Sequence, residues 1–419
     1  MIKEGVIGLS GIAAGRSRYL RAATAISQLI ALYAASGARD RSETHHRGAE
    51  ILTRLCRRNG GFWVKAAQFF SCRPDVLPRE YIEAFQQLQN DAQPVPFTAV
   101  TKVLARAWGK NWRERFLWIQ EEPVAVASIA QVHRARLIDG QEVAIKVRLP
   151  KVQRLFLQDA KVFRALSAIA APRFREFDLR QAVEQLLTMT AIELDFRNEA
   201  ANMLRFARQP HAPRIRIPEL IKPLSSERIL VTSWEGETRL RDYLDDHRDQ
   251  AADLLGVLLT SYLQQVTRFG IYQADPHPGN FLVNDQGQVV ILDFGAIGIL
   301  TPDEVRRYSR LLYGIMGFEG QVDIGELFVQ AGFKGGSPET LKALALFVLT
   351  DQMRQQGPVA AMGELMERFR EERISIPDSY IGISRVLITL GGFLMSYDVP
   401  FDWTPPEQRT GAARQVEPE

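Results

Sequence analysis

Ala274-Asp275-Pro276-His277-Pro278-Gly279-Asn280 and, after twelve intervening residues, Asp293-Phe294-Gly295 decide how this chain reads. Between them lie Phe281-Leu282-Val283, then Asn284-Asp285-Gln286-Gly287, then Gln288 to Leu292. Two apolar runs around turn-forming residues predict a β-hairpin. Phosphoryl transfer needs a carboxylate near the attacking oxygen and hard oxygen ligands for Mg²⁺ on the nucleotide phosphates. Asp275 supplies the first carboxylate, Asn280 a metal-binding amide and Asp293 the second, metal-binding carboxylate. Each piece alone would read as a capped turn. Joined by a hairpin of this length, they form a specific signal. His277, flanked by two prolines, reads as structural and not as a metal ligand.

Composition frames that signal. The chain has 419 residues, 46% hydrophobic and 24% charged, which predicts two to three globular domains and excludes wholesale disorder. Lys and Arg number 52 against 49 Asp and Glu, so nothing in the charge points to nucleic acid. Cys56 and Cys72 are too few for a disulfide framework or a zinc site and fit a reducing compartment. Ala22 to Ala38 carries Ser27, Gln28, Tyr33 and Ser36 and falls short of a spanning helix, and Val386 to Tyr397 reads as a buried core helix. Lys3 beside Glu4, with no compact apolar core, argues against a signal peptide. The expected location is cytoplasmic.

Residues 1–115 read as a helical extension. From 116 to 232 the texture is β-rich. Gln131 to Leu137, the turn Asp139-Gly140 and Gln141 to Val147 form a second hairpin, and Arg228 to Thr232 a further strand. Asp178 to about Phe206 reads as one helical stretch. Residues 233–404 read as a mostly helical lobe with Leu254 to Phe269 as a long apolar helix, and 405–419 as a loose tail. Val143-Ala144-Ile145-Lys146 places a lysine on a strand, where a point charge can meet nucleotide phosphates. Alone, such a lysine would snorkel to solvent. The chain holds ten lysines against 42 arginines, a hint that lysine is required there.

These residues together resemble the UbiB-type (AarF/UbiB) family of atypical, protein-kinase-like proteins, found beside quinone biosynthesis in bacteria and organelles. The matching motifs run from about Gly61 to Leu300. Where ordinary kinases have a Gly-rich loop, Val124 to His133 is similar to the family's alanine-rich loop, with Ala125, Val126, Ala127 and Ser128 over the phosphates. Lys65-Ala66-Ala67-Gln68 is a second mark, with Lys65 and Gln68 on an extension that the family folds over its active site; its usual version has Gly where Ala67 stands. Glu193-Leu194-Asp195-Phe196-Arg197-Asn198-Glu199 is the third. Six helical residues make 600°, so Glu193 and Glu199 point about 120° apart. That spacing suits two lysines: Glu199 for Lys146, Glu193 with Asp195 for Lys65, or the exchanged pairing. Ser233 and Trp234 resemble the lobe hinge that binds adenine through backbone groups. The family often has His where Gln273 stands, a departure that touches support of the loop.

The resemblance implies an α+β, bilobal protein-kinase-like fold that binds ATP and Mg²⁺. It also implies a role beside isoprenoid quinone biosynthesis proteins or in lipid homeostasis, with an isoprenoid or lipid intermediate as partner. Membrane contact would be peripheral, on the inner face, through the arginine-rich helix around Arg16 to Arg39. After Gly295 only Ala296 to Leu300 precede Thr301-Pro302-Asp303-Glu304, a capping box that starts a helix. That leaves no platform for a peptide and argues against protein phosphorylation in trans. Two other readings stay open: a small-molecule kinase of the aminoglycoside or choline type, and a nucleotide-binding scaffold with little turnover.

Overall fold

The computed structural model describes residues 2–36, 41–71, 77–88, 94–173, 178–315, 322–347, 368–369 and 371–399. Cys72 to Val76 and the tail from 405 lie outside the described residues. The chain divides into two units, residues 1–197 with 222–231, and residues 198–221 with 232–419.

In the first unit, helices α1 (Ile2–Ala35), α2 (Arg41–Asn59), α3 (Phe62–Ser71), α4 (Arg79–Gln86) and α5 (Phe97–Trp108) precede a sheet. Small residues of α1 and α2, Ala22, Ala25 and Ala49, bury with Leu55, Trp63, Val64, Tyr81 and Phe85. Each large apolar side chain in such a core contributes about 2 kcal/mol by leaving water. Cys56 belongs to that core, and burial pushes its thiol up to about 12, so it behaves as a small hydrophobe.

The sheet comprises β1 (Phe116–Ile119), β2 (Ala125–Val126), β3 (Ala130–Leu137) and β4 (Glu142–Arg148), followed by α6 (Val152–Ala170) and α7 (Leu179–Glu193). After α8 (Phe196–Ala207) and β5 (Ile215–Arg216), β6 (Ile229–Ser233) completes the order β1-β3-β4-β6, with β2 on β3. The expected hairpin is β3–β4, closed at Asp139-Gly140 with Gly140 at φ +91° and Asp139 accepting from the Gln141 N–H at 2.9 Å. Val143, Ile145 and Val147 alternate into the core, which leaves Ala144 and Lys146 on the other face.

Asp178 to Phe206 is not one helix. It breaks at Leu194-Asp195, where the Leu194 carbonyl accepts from the Arg148 guanidinium. Asp195 accepts from the Arg197 N–H at 3.1 Å, and the Phe196 N–H donates to the Glu227 carbonyl at 3.2 Å. A side-chain oxygen taking a backbone N–H starts α8 afresh. Glu193 and Glu199 therefore sit on separate helices, and the 120° separation does not apply.

The second unit contains α9 (Leu240–Asp246), α10 (Ala251–Gln264), β7 (Ile271–Gln273), β8 (Phe281–Val283), β9 (Val289–Ile291), β10 (Ile297–Ile299), α11 (Pro302–Ile315), α12 (Ile324–Gln330), α13 (Pro338–Phe347) and α14 (Asp378–Met395). The expected long helix from Leu254 to Phe269 ends its α-helical part at Gln264 and finishes in a π turn over Gln265–Phe269. β8 and β9 form the expected hairpin, Leu282 opposite Val290, and β5 pairs β9 in parallel. Ile297–Ile299 is a strand antiparallel to β7. Gly298 lies opposite Tyr272, whose ring occupies the space a Cβ there would need; Gly382 of α14 admits the same ring from another side. The capping box forms. The Thr301 N–H and Oγ1–H donate to the Glu304 carboxylate at 2.8 and 2.9 Å, and the Glu304 N–H donates to Thr301 Oγ1 at 3.3 Å. The other Glu304 oxygen accepts from the Ser379 hydroxyl at 2.7 Å, tying α11 to α14. Ile383, Val386, Leu390, Phe393 and Leu394 make α14 a core helix. Among the described residues no helix is long and apolar enough to cross a membrane.

His133 of β3 is fully buried, and burial lowers its pKa. Its Nδ1 lies 2.9 Å from the Gln120 carbonyl, which can only accept, so Nδ1 carries the proton and Nε2 accepts from Gln131 at 2.9 Å. The folded state favours the neutral ring. The unfolded chain takes up a proton from about pH 6.5 downward, so this contribution to stability is present above that pH and is lost as pH falls. The drop in melting temperature between about pH 7 and about pH 5 should be smaller in His133→Gln than in the parent. Identical pH profiles in a thermal melt would contradict that linkage.

Candidate functional site

The site in the second unit is a loop closed at its base by β7 and β10, where the Ala274 N–H donates to the Ala296 carbonyl at 3.0 Å. Gln273, the last residue of β7, is fully buried. Its Oε1 accepts from the Tyr262 hydroxyl at 2.7 Å and from the Asp275 N–H at 3.1 Å. Its Nε2 donates to the Asp275 carbonyl at 2.8 Å and to the Asp293 carbonyl at 3.2 Å. One amide thus holds the backbones of both candidate carboxylates. Gln265, in the π turn, adds its Oε1 to the Gln273 N–H at 3.1 Å.

The Asp275 carbonyl also accepts from the His277 N–H at 2.8 Å and from Asn280 Nδ2 at 3.0 Å. The Asn280 amide is thereby oriented, with its carbonyl oxygen as the group that can meet a cation. His277 Nδ1 accepts from the Gly279 N–H at 3.1 Å, a turn-forming role in keeping with the sequence reading. The Asp275 side chain is more than half exposed, with Arg385 of α14 3.6 Å from its Oδ1. Arg385 also donates to the Ala274 carbonyl at 2.7 Å. No local signal around Arg385 marks it, because its partners stand more than a hundred residues earlier.

Asp293 has φ +54°, a left-handed conformation that non-glycine residues adopt at a cost of about 1–2 kcal/mol. Three contacts hold it there: the bond from Gln273, the Gly295 N–H donating to Asp293 Oδ1 at 2.9 Å, and burial of Phe294 against Phe206 at 5.1 Å between ring centres. Asn202 of α8 donates to the Phe294 carbonyl at 3.0 Å. Gln265, Asn202 and Arg385 were not singled out from the sequence.

The remaining site residues divide between the units. Lys65 of α3 pairs with Glu193 at the end of α7, and Gln68 one turn on donates to the Leu88 carbonyl at 3.3 Å. Ala67 is buried in the helical core, so its methyl is accommodated where the family pattern has Gly. Asp195 is held by Arg197 at 2.5 Å, and that ion pair lowers its pKa. Ala125 and Val126 pair with Val132 and Gln131, and the Ala127 N–H donates to the Ala130 carbonyl at 2.7 Å. The alanine-rich stretch is therefore a tight hairpin, with Ser128 in its turn. Lys146 lies on β4 opposite Val132, 5.5 Å from the Phe196 ring centre. Glu199 belongs to the second unit and is buried on α8. Ser233 accepts from the Glu219 N–H at 2.7 Å and donates to Glu235 at 2.6 Å, so its side chain is engaged locally beside Trp234.

A model of the ABC1 atypical kinase-like domain matches residues 87–321, more than half of the chain. The chain is 32% identical over 272 residues to an AarF domain-containing protein kinase 1 of Xenopus tropicalis, covering 62% of this chain and 51% of that protein. It is 30% identical over 287 residues to an uncharacterised Synechocystis protein, covering 65% and 70%. A solved Mycobacterium tuberculosis protein, described in complex with erythromycin, aligns with a TM-score of 0.57 and 25% identity over 84% of this chain and 92% of that one. The chain spans about half the length of the AarF domain-containing kinases it matches. The fold is α+β and kinase-like.

Gln273→Leu keeps the shape and removes the amide. It leaves the Asp275 N–H and Tyr262 hydroxyl without their Gln273 acceptor and takes from the Asp275 and Asp293 carbonyls the donor that joins them. Stability of the protein should fall by roughly 2–4 kcal/mol. Denaturant unfolding checks this, and an unchanged midpoint would contradict the role of the amide.

Proposed function

We propose, on the premise that this chain belongs to the ABC1 atypical kinase-like family, that it is an ATP- and Mg²⁺-dependent phosphotransferase or ATPase that does not phosphorylate proteins in trans. One observation carries the reading: the Gln273 amide suspends the backbones of Asp275 and Asp293 together, while Asn280 is bonded to the same Asp275 carbonyl. Two carboxylates and an oriented amide, held by one buried group, are a donor set of hard oxygens that fits Mg²⁺ and phosphate chemistry.

In this reading Asn280 and Asp293 hold Mg²⁺, which when bound neutralises charge on the nucleotide phosphates. Asp275 orients or deprotonates the attacking group. Lys146 positions phosphates, and the hairpin of Ala125 to Ser128 covers them. Lys65 with Glu193, Asp195 and Gln68 belongs to an extension acting beside the phosphates, and backbone groups at Ser233-Trp234 receive adenine. The division into extension (1–115), sheet lobe (116–232) and helical lobe (233–404) is part of this reading. So is a lipid or isoprenoid intermediate of quinone biosynthesis as partner, met at the inner membrane face through the arginines of α1. The short segment between Gly295 and the Thr301 capping box supports the exclusion of peptide substrates, since strand β10 and the cap occupy it.

Asp293→Asn is the decisive variant. Asn tolerates positive φ as well as Asp does, so the fold is kept while the anionic oxygen is lost. MgATP should raise the melting temperature of the parent and leave that of the variant unchanged. Equal shifts in both would remove the metal assignment. A standard peptide library should remain unlabelled by purified protein with radiolabelled ATP. Stoichiometric labelling that depends on Asp275 would overturn the substrate reading.

A further inference from the structure

The first unit contains a cavity of about 170 Å³ bounded by α1, α2, α3, α6 and α7, with Lys65 and Ser128 also in its lining. Most of its wall is hydrocarbon: Phe62, Val152, Leu155, Phe156 and Leu194. One polar group faces it without a partner. Asn59, the last residue of α2, is 6% exposed, and neither its Nδ2 nor its Oδ1 has a hydrogen-bond partner among the described residues. Its backbone carbonyl is satisfied by the Arg18 guanidinium, so the side chain alone is left over.

A buried amide with both ends unmet is costly, about 1–3 kcal/mol for each unmet group, and such groups are rare in folded proteins. The nearby charges do not account for it. Arg18 is paired with Asp159, Nε to Oδ1 at 3.0 Å, and Lys65 with Glu193. Each cation of the lining thus already has a carboxylate partner, and neither is paired with the Asn59 amide. Water is a poor filling. Water can meet Asn59 and the other polar residues of the lining, Arg18, Asp159, Lys65, Ser128 and Thr190, but it leaves the wall of Phe62, Val152, Leu155, Phe156 and Leu194 unmatched. A space of this size lined by hydrocarbon suits one aromatic ring, since an apolar cavity of about 150 Å³ accepts benzene.

We propose that this cavity is a binding site for a small uncharged molecule whose apolar body is the size of a single ring. Its head presents an acceptor and a donor side by side, as a carboxamide or lactam does. The head pairs with both ends of the Asn59 amide, and the body lies among Phe62, Leu155 and Phe156. The inference is argued from the first unit alone; the cavity shares Lys65 and Ser128 with the residues proposed to act at the phosphates, and its test reads ligand binding without nucleotide.

The test uses the full chain with benzamide, benzoate and toluene as probes, read by ligand-observed NMR titration. Benzamide should bind saturably in the millimolar range expected of a fragment. Toluene, which lacks the head, and benzoate, which brings a charge and no donor, should each bind about tenfold more weakly or worse. Asn59→Leu should reduce benzamide to the affinity of toluene. Val152→Phe, which fills the cavity from the opposite wall and leaves Asn59 in place, should abolish binding of both, and it keeps the test open if Asn59→Leu fails to fold. Three results would overturn the proposal: no saturable benzamide binding, benzamide affinity unchanged by Val152→Phe or by a folded Asn59→Leu, or a crystal structure grown with benzamide that shows ordered water alone on Asn59.

Discussion

Gln273 carries a single carboxamide at the base of the candidate site, and four hydrogen bonds converge on it from three parts of the second unit. Tyr262 comes from α10, Asp275 from the loop and Asp293 from the end of the hairpin. In a fully buried position each of these bonds is strengthened by the low dielectric, and each group would be expensive to leave alone. The amide is suited to the task because it donates and accepts at once and does not titrate. A histidine in its place would offer the same two roles in one tautomer and lose its acceptor on protonation. The left-handed backbone at Asp293 depends on this support, since strained conformations persist where several contacts hold them together.

Much of this was legible from residue order. The two hairpins follow from alternating apolar residues around Asp139-Gly140 and Asn284 to Gly287, and the start of α11 from Thr301 and Glu304. These are local rules, satisfied by neighbours in the chain. The Lys65–Glu193 pair was one of two pairings left open by a helical spacing that does not hold, and the structure joins the two side chains across 128 residues. Asp275, Asn280 and Asp293 stood out as candidates by residue type and spacing, and the structure places them on one loop.

What was not legible depends on distant partners. Nothing within Glu193 to Glu199 requires a helix break. The break needs Arg148 from β4 and the Glu227 carbonyl before β6 to take the groups a continuous helix would have used. β10 is three residues long with a central glycine, and it becomes a strand because β7 stands beside it with Tyr272 over Gly298. Arg385 reaches the candidate loop from the last described helix, a meeting that the packing of α14 produces and no motif announces.

The pairing of β7 with β10 has a consequence for how the site comes into being. Its closure encloses Asp275, Asn280, the β8–β9 hairpin and Asp293 in one contiguous segment, Ala274 to Ala296. Contacts of short sequence separation form early because little chain entropy is lost in making them. The three candidate residues are therefore assembled by neighbours and not gathered from across the chain, with the buried Gln273 and Gln265 amides locking the finished loop. Such a segment behaves as one cooperative opening unit. The parts of the constellation appear and vanish together, so a partly formed site, with one carboxylate in place and the other astray, has little standing in the native ensemble.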